Sequence, residues 1–478
     1  MAGYDEFKNS FKHAVDEFRK LDLDKPFKII GNYDSDGLSA ASILVKALKR
    51  EKIKFSLSII RQLNKDIINE LSKENYPYYI FSDLGSSSIQ ALEEALYDRF
   101  VLILDHHKPE SSLEKSSQKE TKFIQVNPHI YGVDGSKDIS ASGVAYLFAK
   151  NLNAVNIDLA HIALIGAIGD VQENRGFNEL NHEILEDAIE SGKIEVKQGL
   201  RFFGMQTKPL HKVLEYSTDP YIPGVTGNEQ GAFQFLNELD IEPKTGNKWK
   251  KLIHLEHDDL KKLVTGIVLR RIGGVEKNPE DVLGPIYLLK DEDDESPTRD
   301  AKEFSTLLNA CGRLNKHSLG IGACLGNKNI REKAIELLGQ YRRQIIDSLD
   351  WLYKNREKCC IEKEGFVIIN AGENINDALI GTISSILSRG NLYKEGTVII
   401  GMARTIDDRT KISIRRTGLR NNEDINLLEI IKAAAGKVGG EFGGHAYSAA
   451  GAIINIDREE EFIKEAIESL ETINIKNS

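Results

Sequence analysis

A chain of 478 residues is too long for one compact domain and favours two to four. Its 41% apolar and 28% charged residues, with only 11 prolines against 39 glycines, exclude a mainly disordered or collagen-like chain. The net charge of −10 argues against a wholly basic nucleic-acid binder, yet permits a local basic groove and suits a chain that reserves carboxylates for metal ions.

The first half alternates strands and helices. Phe27–Gly31 is a predicted strand that ends in Asn-Tyr-Asp-Ser-Asp-Gly, and Leu38–Lys49 has helical periodicity. Lys54–Ile60 is strand-like and Lys65–Leu71 helical. Tyr79–Phe81 leads into Ser-Asp-Leu-Gly, Val101–Leu104 into Asp-His-His, and Phe123–Val126 into Asn-Pro-His. Ser142 and Gly143 open the apolar helix Val144–Leu152, and the apolar segment His161–Ile168 ends at Gly169-Asp170. This alternation predicts an α/β fold, a parallel sheet with helices on both faces. From Gly192 to Asp300 the pattern turns irregular, carries Lys248-Trp249-Lys250-Lys251 and closes on an acidic, Pro-containing stretch, as expected of an inserted domain. The Lys-Trp-Lys-Lys run reads as a solvated helix start with one buried Trp, or as a base-stacking site.

Residues 332–357 predict a long connecting helix. A second, smaller α/β unit then has strands at Gly365–Asn370, Thr397–Ala403 and Lys411–Arg415, helices at Ala378–Ser388 and Leu427–Ala435, and a Gly-rich loop at Gly436–Gly444. The division expected is 1–191 for the first part of the N-terminal domain, 192–300 for the insert and 301–330 for the return. The connecting helix takes 331–360 and the C-terminal domain 361–478. No apolar run approaches the ~20 residues of a membrane span, and Met1–Lys8 lacks signal-peptide order, so a cytoplasmic location without membrane contact is expected. Cys311, Cys324, Cys359 and Cys360 show no C-x-x-C pairing and read as buried free thiols.

The chemistry sits at the ends of the N-terminal apolar runs: Asp34 and Asp36, Asp83, Asp105-His106-His107, and Asp170. Read as four strand ends of one parallel sheet, these runs deliver five carboxylates and two imidazoles to a single ligand-binding edge. Such negative charge needs cations, and carboxylate with imidazole but without thiolate suits Mn²⁺ or Mg²⁺. Two cations about 3.5–4 Å apart, bridged by a shared carboxylate, form the apparatus of in-line phosphoester hydrolysis, and Asp83 is the natural bridge. Singly, each element has an ordinary reading. Asp-x-Asp-Gly can be a turn, Asp83 and Asp170 can cap helices, and Asp-His-His can be a polar strand end. Their occurrence together in this order points to the metal.

Asp105-His106-His107, with Asp34-Ser-Asp36-Gly upstream and Asp170 downstream, resembles the DHH phosphoesterase superfamily. Gly443-Gly444-His445-Ala-Tyr-Ser-Ala-Ala-Gly451 is similar to the Gly-Gly-His signature of its companion domain, DHHA1. Asn309-Ala-Cys-Gly312-Arg313-Leu314 is similar to the Asn-Ala-x-Gly-Arg motif of RecJ-type exonucleases. The longer stretch Phe304–Leu314, followed by Ser318–Gly320, looks most like the archaeal RecJ-like branch, which includes the GINS-associated nuclease and is related to a eukaryotic fork protein. The resemblance implies a DHH domain with an insert, a connecting helix and a DHHA1 domain.

It also implies roles. Asp36, Asp83, His106 and Asp170 would hold one Mn²⁺, and Asp34 and Asp83 a second, with Mg²⁺ as a possible substitute. His107 would contact the scissile phosphate and Asp105 would orient the cluster. Arg313, Ser413, Arg415, Gly443, Gly444 and His445 would bind substrate, the last five from across a cleft. Arg415 and Arg416, adjacent in a strand, point to opposite faces, and Arg415 is expected to be the one facing substrate. Where many DHH enzymes carry a His or Asp before Asp-x-Asp, this chain has Ile30 and Asn32, so the first metal site is expected to be weak and to need Mn²⁺. The implied activity is a two-metal, single-strand-specific exonuclease on DNA, RNA or both, linked to replication or repair, with the GINS complex as partner of the insert. The alternatives are a small-substrate phosphodiesterase, acting on oligoribonucleotides or a cyclic dinucleotide, and a weakly active fork scaffold.

Overall fold

The computed structural model describes residues 2–109, 122–173, 175–217, 220–272, 278–390, 392–418, 425–445 and 449–477. Residues 446–448 of the C-terminal motif and the side chain of His445 lie outside them. The chain forms two compact units, residues 1–338 and 339–478.

The first unit begins with α1 (Ala2–Arg19), β1 (Phe27–Asn32), α2 (Ser35–Arg50), β2 (Phe55–Ile60), α3 (Lys65–Lys73), β3 (Tyr78–Ser82), α4 (Ile89–Ala95), β4 (Phe100–Leu104) and β5 (Phe123–Val126). The five strands are parallel, in the order β2-β1-β3-β4-β5. β4 is buried along its whole length and β1 along all but its last residue, which is why both read as unbroken apolar runs rather than alternating ones. Because β2 and β3 flank β1, the strand order reverses there. The crevice beyond the carboxyl ends of β1 and β3 is therefore the switch point at which open α/β sheets bind ligands.

A helical layer follows, formed by α5 (Ala141–Leu152), α6 (Ala160–Gly169) and α7 (Glu179–Glu190). This corrects one expectation: Asp170 ends a helix, not a strand. A short, wholly apolar run does not disclose its period, and the Ala and Gly residues of α6 let it pack as a helix against α2 and α5.

The insert comprises β6 (Ile194–Leu200), α8 (Leu210–Glu215), α9 (Glu229–Glu238), β7 (Lys244–Thr245), β8 (Lys248–Trp249), α10 (His257–Ile272) and β9 (Leu283–Leu289). It is not irregular. β6 pairs antiparallel with β9, 95 positions later at their outer ends (Ile194 with Leu289), which no local pattern could announce. Phe202, Leu210, Val213, Phe235, Leu236 and Ile267 share a separate core. The Lys-Trp-Lys-Lys run is not a helix start: Trp249 lies in a short hairpin, 40% exposed, with Lys244 Nζ 4.0 Å above its ring. The first unit closes with α11 (Ala301–Arg313) and α12 (His317–Cys324), and α13 (Lys328–Cys359) runs on into the second.

The second unit adds β10 (Cys360–Lys363), β11 (Phe366–Asn370), α14 (Asp377–Arg389), β12 (Val398–Arg404), β13 (Arg409–Arg416), α15 (Leu427–Lys437), β14 (Glu441–His445), β15 (Ala449–Asn455) and α16 (Glu459–Asn477). Its sheet runs β10-β11-β12-β13-β15-β14, with β11 and β12 parallel and the other pairs antiparallel. The predicted Gly-rich loop is shorter than expected, because 441–445 forms an edge strand that sets Gly443 opposite Gly451. Cys311 and Cys324 are buried free thiols as expected, whereas Cys359 and Cys360 are only half-buried, their Sγ atoms 3.7 Å apart.

Candidate metal centre

Three loops and one helix end converge on the β1/β3 crevice. Asp34 caps α2, its Oδ1 accepting from Gly37 N at 3.0 Å. Asp36, in the first turn of α2, reaches the N-terminus of α5. There Oδ2 accepts from Ala141 N (2.7 Å), while Oδ1 accepts from Ser142 N (3.1 Å) and the Ser142 hydroxyl. Unpaired amides at a helix start suit a carboxylate, so α5 fixes Asp36 rigidly. Asp83 follows β3 with φ of 62°, in the left-handed region, and its N–H is held by Leu104 O at 3.0 Å.

The Asp-His-His run divides its labour. Asp105 is buried and turned inward, accepting from His106 N (2.8 Å), His107 N (3.2 Å), His107 Nδ1 (2.8 Å) and Ser86 N (3.0 Å). His106 Nδ1 donates to Gly135 O at 2.7 Å, which leaves Nε2 facing Asp170 Oδ2 (3.2 Å), Asp83 Oδ1 (3.5 Å) and Asp36 Oδ2 (3.9 Å). His107 is 42% exposed and points to the open side, its Nδ1 3.7 Å from Asp83 Oδ1.

Among the described residues two groups of donor atoms emerge, Asp83–His106–His107 and Asp36–His106–Asp170, each with its atoms within 4.8 Å of one another. Asp34 falls in neither group, although its charge is felt by Asp83. Burial, then the Asp34 carboxylate, holds the Asp83 carboxyl well above its usual range. Burial, then Asp170, lifts Asp36 to about 6 and raises Asp34 as well. Burial opposes the charged form of both imidazoles and is outweighed by carboxylates: Asp170 and Asp83 raise His106 well above its ordinary value, and Asp105 lifts His107 to about 9. Asp105 moves the other way, because His107 overcomes the effect of burial. Asp83 Oδ1 and His106 Nε2 are buried without a hydrogen-bond partner. Crowded carboxylates, an imidazole nitrogen turned towards them and a buried carboxylate oxygen without a partner are what a divalent cation satisfies, and this donor set fits one.

Residues outside the expected set hold the centre together. Asn309 Oδ1 accepts from Ser35 N at 3.0 Å, pinning the loop between Asp34 and Asp36. Three residues along α11, a Cβ at Gly312 would collide with the Tyr33 carbonyl, so glycine there permits the close approach. Arg313, at the end of α11, is half-buried. Ile30 is buried in β1, and Asn32 Oδ1 accepts from Tyr33 N at 2.8 Å. In the second unit, Ser413 and Arg415 share a face of β13 beside Gly381 of α14, and Arg415 Nε donates to Ser385 Oγ at 2.9 Å. Arg416 takes the other face of the strand. Gly443, Gly444 and the backbone of His445 form β14. Ser142, Gly135 and Gln172 escaped sequence reasoning. The Ser-Ala-Ser-Gly start of α5 was the visible signal for the first, and nothing local marked the others.

A carboxylate–imidazole centre at the switch point of a parallel sheet defines the class: the fold is that of metal-dependent phosphoesterases. The chain matches the DHH family N-terminal domain over residues 26–167, the DHH-CID domain over 202–282 and the DHHA1 domain over 364–472. It belongs to the DHH–DHHA1 family, with a RecJ-like fold. It is 33% identical over 441 residues to the uncharacterized protein MJ0831 of Methanocaldococcus jannaschii, covering 91% of each chain. Among solved structures it resembles CDC45 from Entamoeba histolytica, with a TM-score of 0.65 at 13% identity over 97% of this chain and 99% of that one. It also resembles RecJ from Thermus thermophilus in complex with Mn²⁺, with a TM-score of 0.56 at 16% identity, over 96% of this chain. The chain spans 54% of that RecJ. Among the described residues no helix is long and apolar enough to cross a membrane.

Proposed function

We propose that the protein is a Mn²⁺-dependent, two-metal exonuclease that hydrolyses phosphodiester bonds of single-stranded DNA, RNA or both, in replication or repair. The observation that carries this reading is the meeting of Asp36, Asp83, His106 and Asp170 around orphaned acceptor atoms at the switch point. When bound, divalent cations would activate water and offset charge on the phosphoryl oxygens. Asp36, Asp83, His106 and Asp170 would hold one ion, and Asp34 with Asp83 the other. Asp105 keeps His107 cationic and aimed outward, where it can meet a phosphate oxygen. Arg313, Ser413, Arg415, Gly443, Gly444 and His445 are the substrate contacts in this reading. The site that lacks a strong donor at Ile30 and Asn32 is the weaker one and selects Mn²⁺; full activity at micromolar Mg²⁺ would refute that.

Mn²⁺-dependent digestion of single strands labelled at either end, run beside a dinucleotide, tests the reading. Processive loss of label supports it, and cleavage of the dinucleotide alone favours a small-substrate phosphodiesterase. The full-length likeness to CDC45 supports a second reading, a fork scaffold, which residual activity unchanged by Asp36→Ala or His106→Ala would favour. The proposed partner of residues 192–300 is the GINS complex. A chain lacking them that still co-purifies with GINS would remove that assignment.

A further inference from the structure

The metal-facing tautomer of His106 depends on one acceptor, the Gly135 carbonyl. That carbonyl takes a second donor: Gln172 Nε2 lies 2.9 Å from it. Gln172 is two residues past Asp170, 5% exposed, and its amide is fully engaged. Nε2 also donates to Ile139 O (3.3 Å), and Oε1 accepts from Asn181 Nδ2 (2.8 Å). Asn181 is itself buried and tied through its backbone N to Asp138 O at 3.0 Å. Flipping the Gln172 amide would oppose its oxygen to two carbonyls and its NH₂ to another, so only one orientation satisfies the network. In that orientation a donor stands 3.5 Å from His106 Nδ1. Among the described residues Gly135 O is the acceptor within reach, so Nδ1 must carry a hydrogen and Nε2 is the nitrogen left for a cation.

We propose that Gln172 is a positioning residue for His106, holding the Gly135–Ile139 segment so that the imidazole presents Nε2 to the cation. Resting on the reading of His106 as a ligand, the inference adds a residue that no ligand motif contains. Outer partners of this kind typically contribute 10- to 100-fold in metal affinity.

The test uses the full chain. Mn²⁺ affinity is measured by calorimetry for wild type, Gln172→Ala, the near-isosteric Gln172→Glu and His106→Ala. Ring-nitrogen spectra of ¹⁵N-histidine-labelled, metal-free protein, taken above the pH at which the His106 imidazolium loses its proton, report the tautomer. Both Gln172 variants are expected to bind Mn²⁺ at least about tenfold more weakly. In Gln172→Ala the His106 signals should shift from a pure Nδ1–H pattern to a mixture. Mn²⁺ affinity within twofold of wild type in both, with unchanged His106 signals, overturns the inference alone. Unchanged affinity in His106→Ala overturns the ligand reading, and the inference with it. Should Gln172→Ala fail to fold, Gln172→Glu decides.

Discussion

Gly166 lies on α6 where that helix crosses the start of α5, and replacing it with alanine sets two effects against each other. Inside a helix, Gly to Ala alone stabilises by roughly 0.5–1 kcal/mol. At 166, however, the new Cβ would fall within contact of Asp36 Oδ1 and Ser142 Oγ, with Ser142 Cβ at 2.8 Å. Neither oxygen can yield, because the two are hydrogen-bonded to each other, Asp36 Oδ1 also accepts from Ser142 N, and Ser142 Oγ also meets Ala163 O. Overpacking of this kind costs about 1–3 kcal/mol, so the net effect is a destabilisation of roughly 0–2 kcal/mol. Displacing Asp36 should also weaken Mn²⁺ binding, by about tenfold for each 1.4 kcal/mol of lost interaction. The control is Gly339→Ala on α13, where nothing lies within 4 Å and a gain of about 0.5–1 kcal/mol is expected. Urea unfolding and Mn²⁺ titration of both variants decide the matter. If Gly166→Ala gains stability as Gly339→Ala does and binds Mn²⁺ like wild type, the packing argument is wrong.

Asp83→Asn keeps a residue that tolerates the left-handed backbone, so it should abolish Mn²⁺-dependent hydrolysis with little change in unfolding midpoint, whereas Asp83→Ala should also cost about 1 kcal/mol of stability. Asp300, buried and facing Glu303, has its carboxyl pushed up to about 7. The folded state then binds the extra proton between about pH 4 and 7, so stability falls across that window as pH rises. Asp300→Asn, which retains the helix cap, should be more stable than wild type at pH 8, by on the order of 1 kcal/mol, and the advantage should shrink by pH 5; equal gains at both would contradict the assignment. Saturating Mn²⁺ at about 100 times its Kd should add about 2.7 kcal/mol to the first unit. Hydrogen exchange should show the gain in α2, α5 and α6 and none in β10–β15.

Much of the fold was legible because parallel strands buried on both faces announce themselves as apolar runs, and β1, β3 and β4 emerge within a residue or so of their predicted ends, as does the alternately buried edge strand β5. The polar residues that follow them were legible for the same reason, since a charge directly after an apolar strand marks a loop. Asp170 was found, but its support was misread. Ala160–Gly169 is apolar on every side, and period is invisible without contrast. The insert was opaque because β6 finds its partner at β9 across nearly the whole segment. Gln172 was hidden because it meets Gly135 only after the chain has folded, and for the same reason Asn309, visible as part of the Asn-Ala-x-Gly-Arg motif, carried no assigned role until it met Ser35.

Asp34, Asp36, Asp83, His106 and Asp170 occupy loops or the terminal turns of helices, and none belongs to the apolar interiors around Ile30, Phe81 and Ile103 or around Phe235 and Ile267. Those apolar cores therefore do not depend on the chemistry at their rim. A handful of substitutions at the rim could silence hydrolysis and leave the scaffold standing, free to be kept for its shape alone.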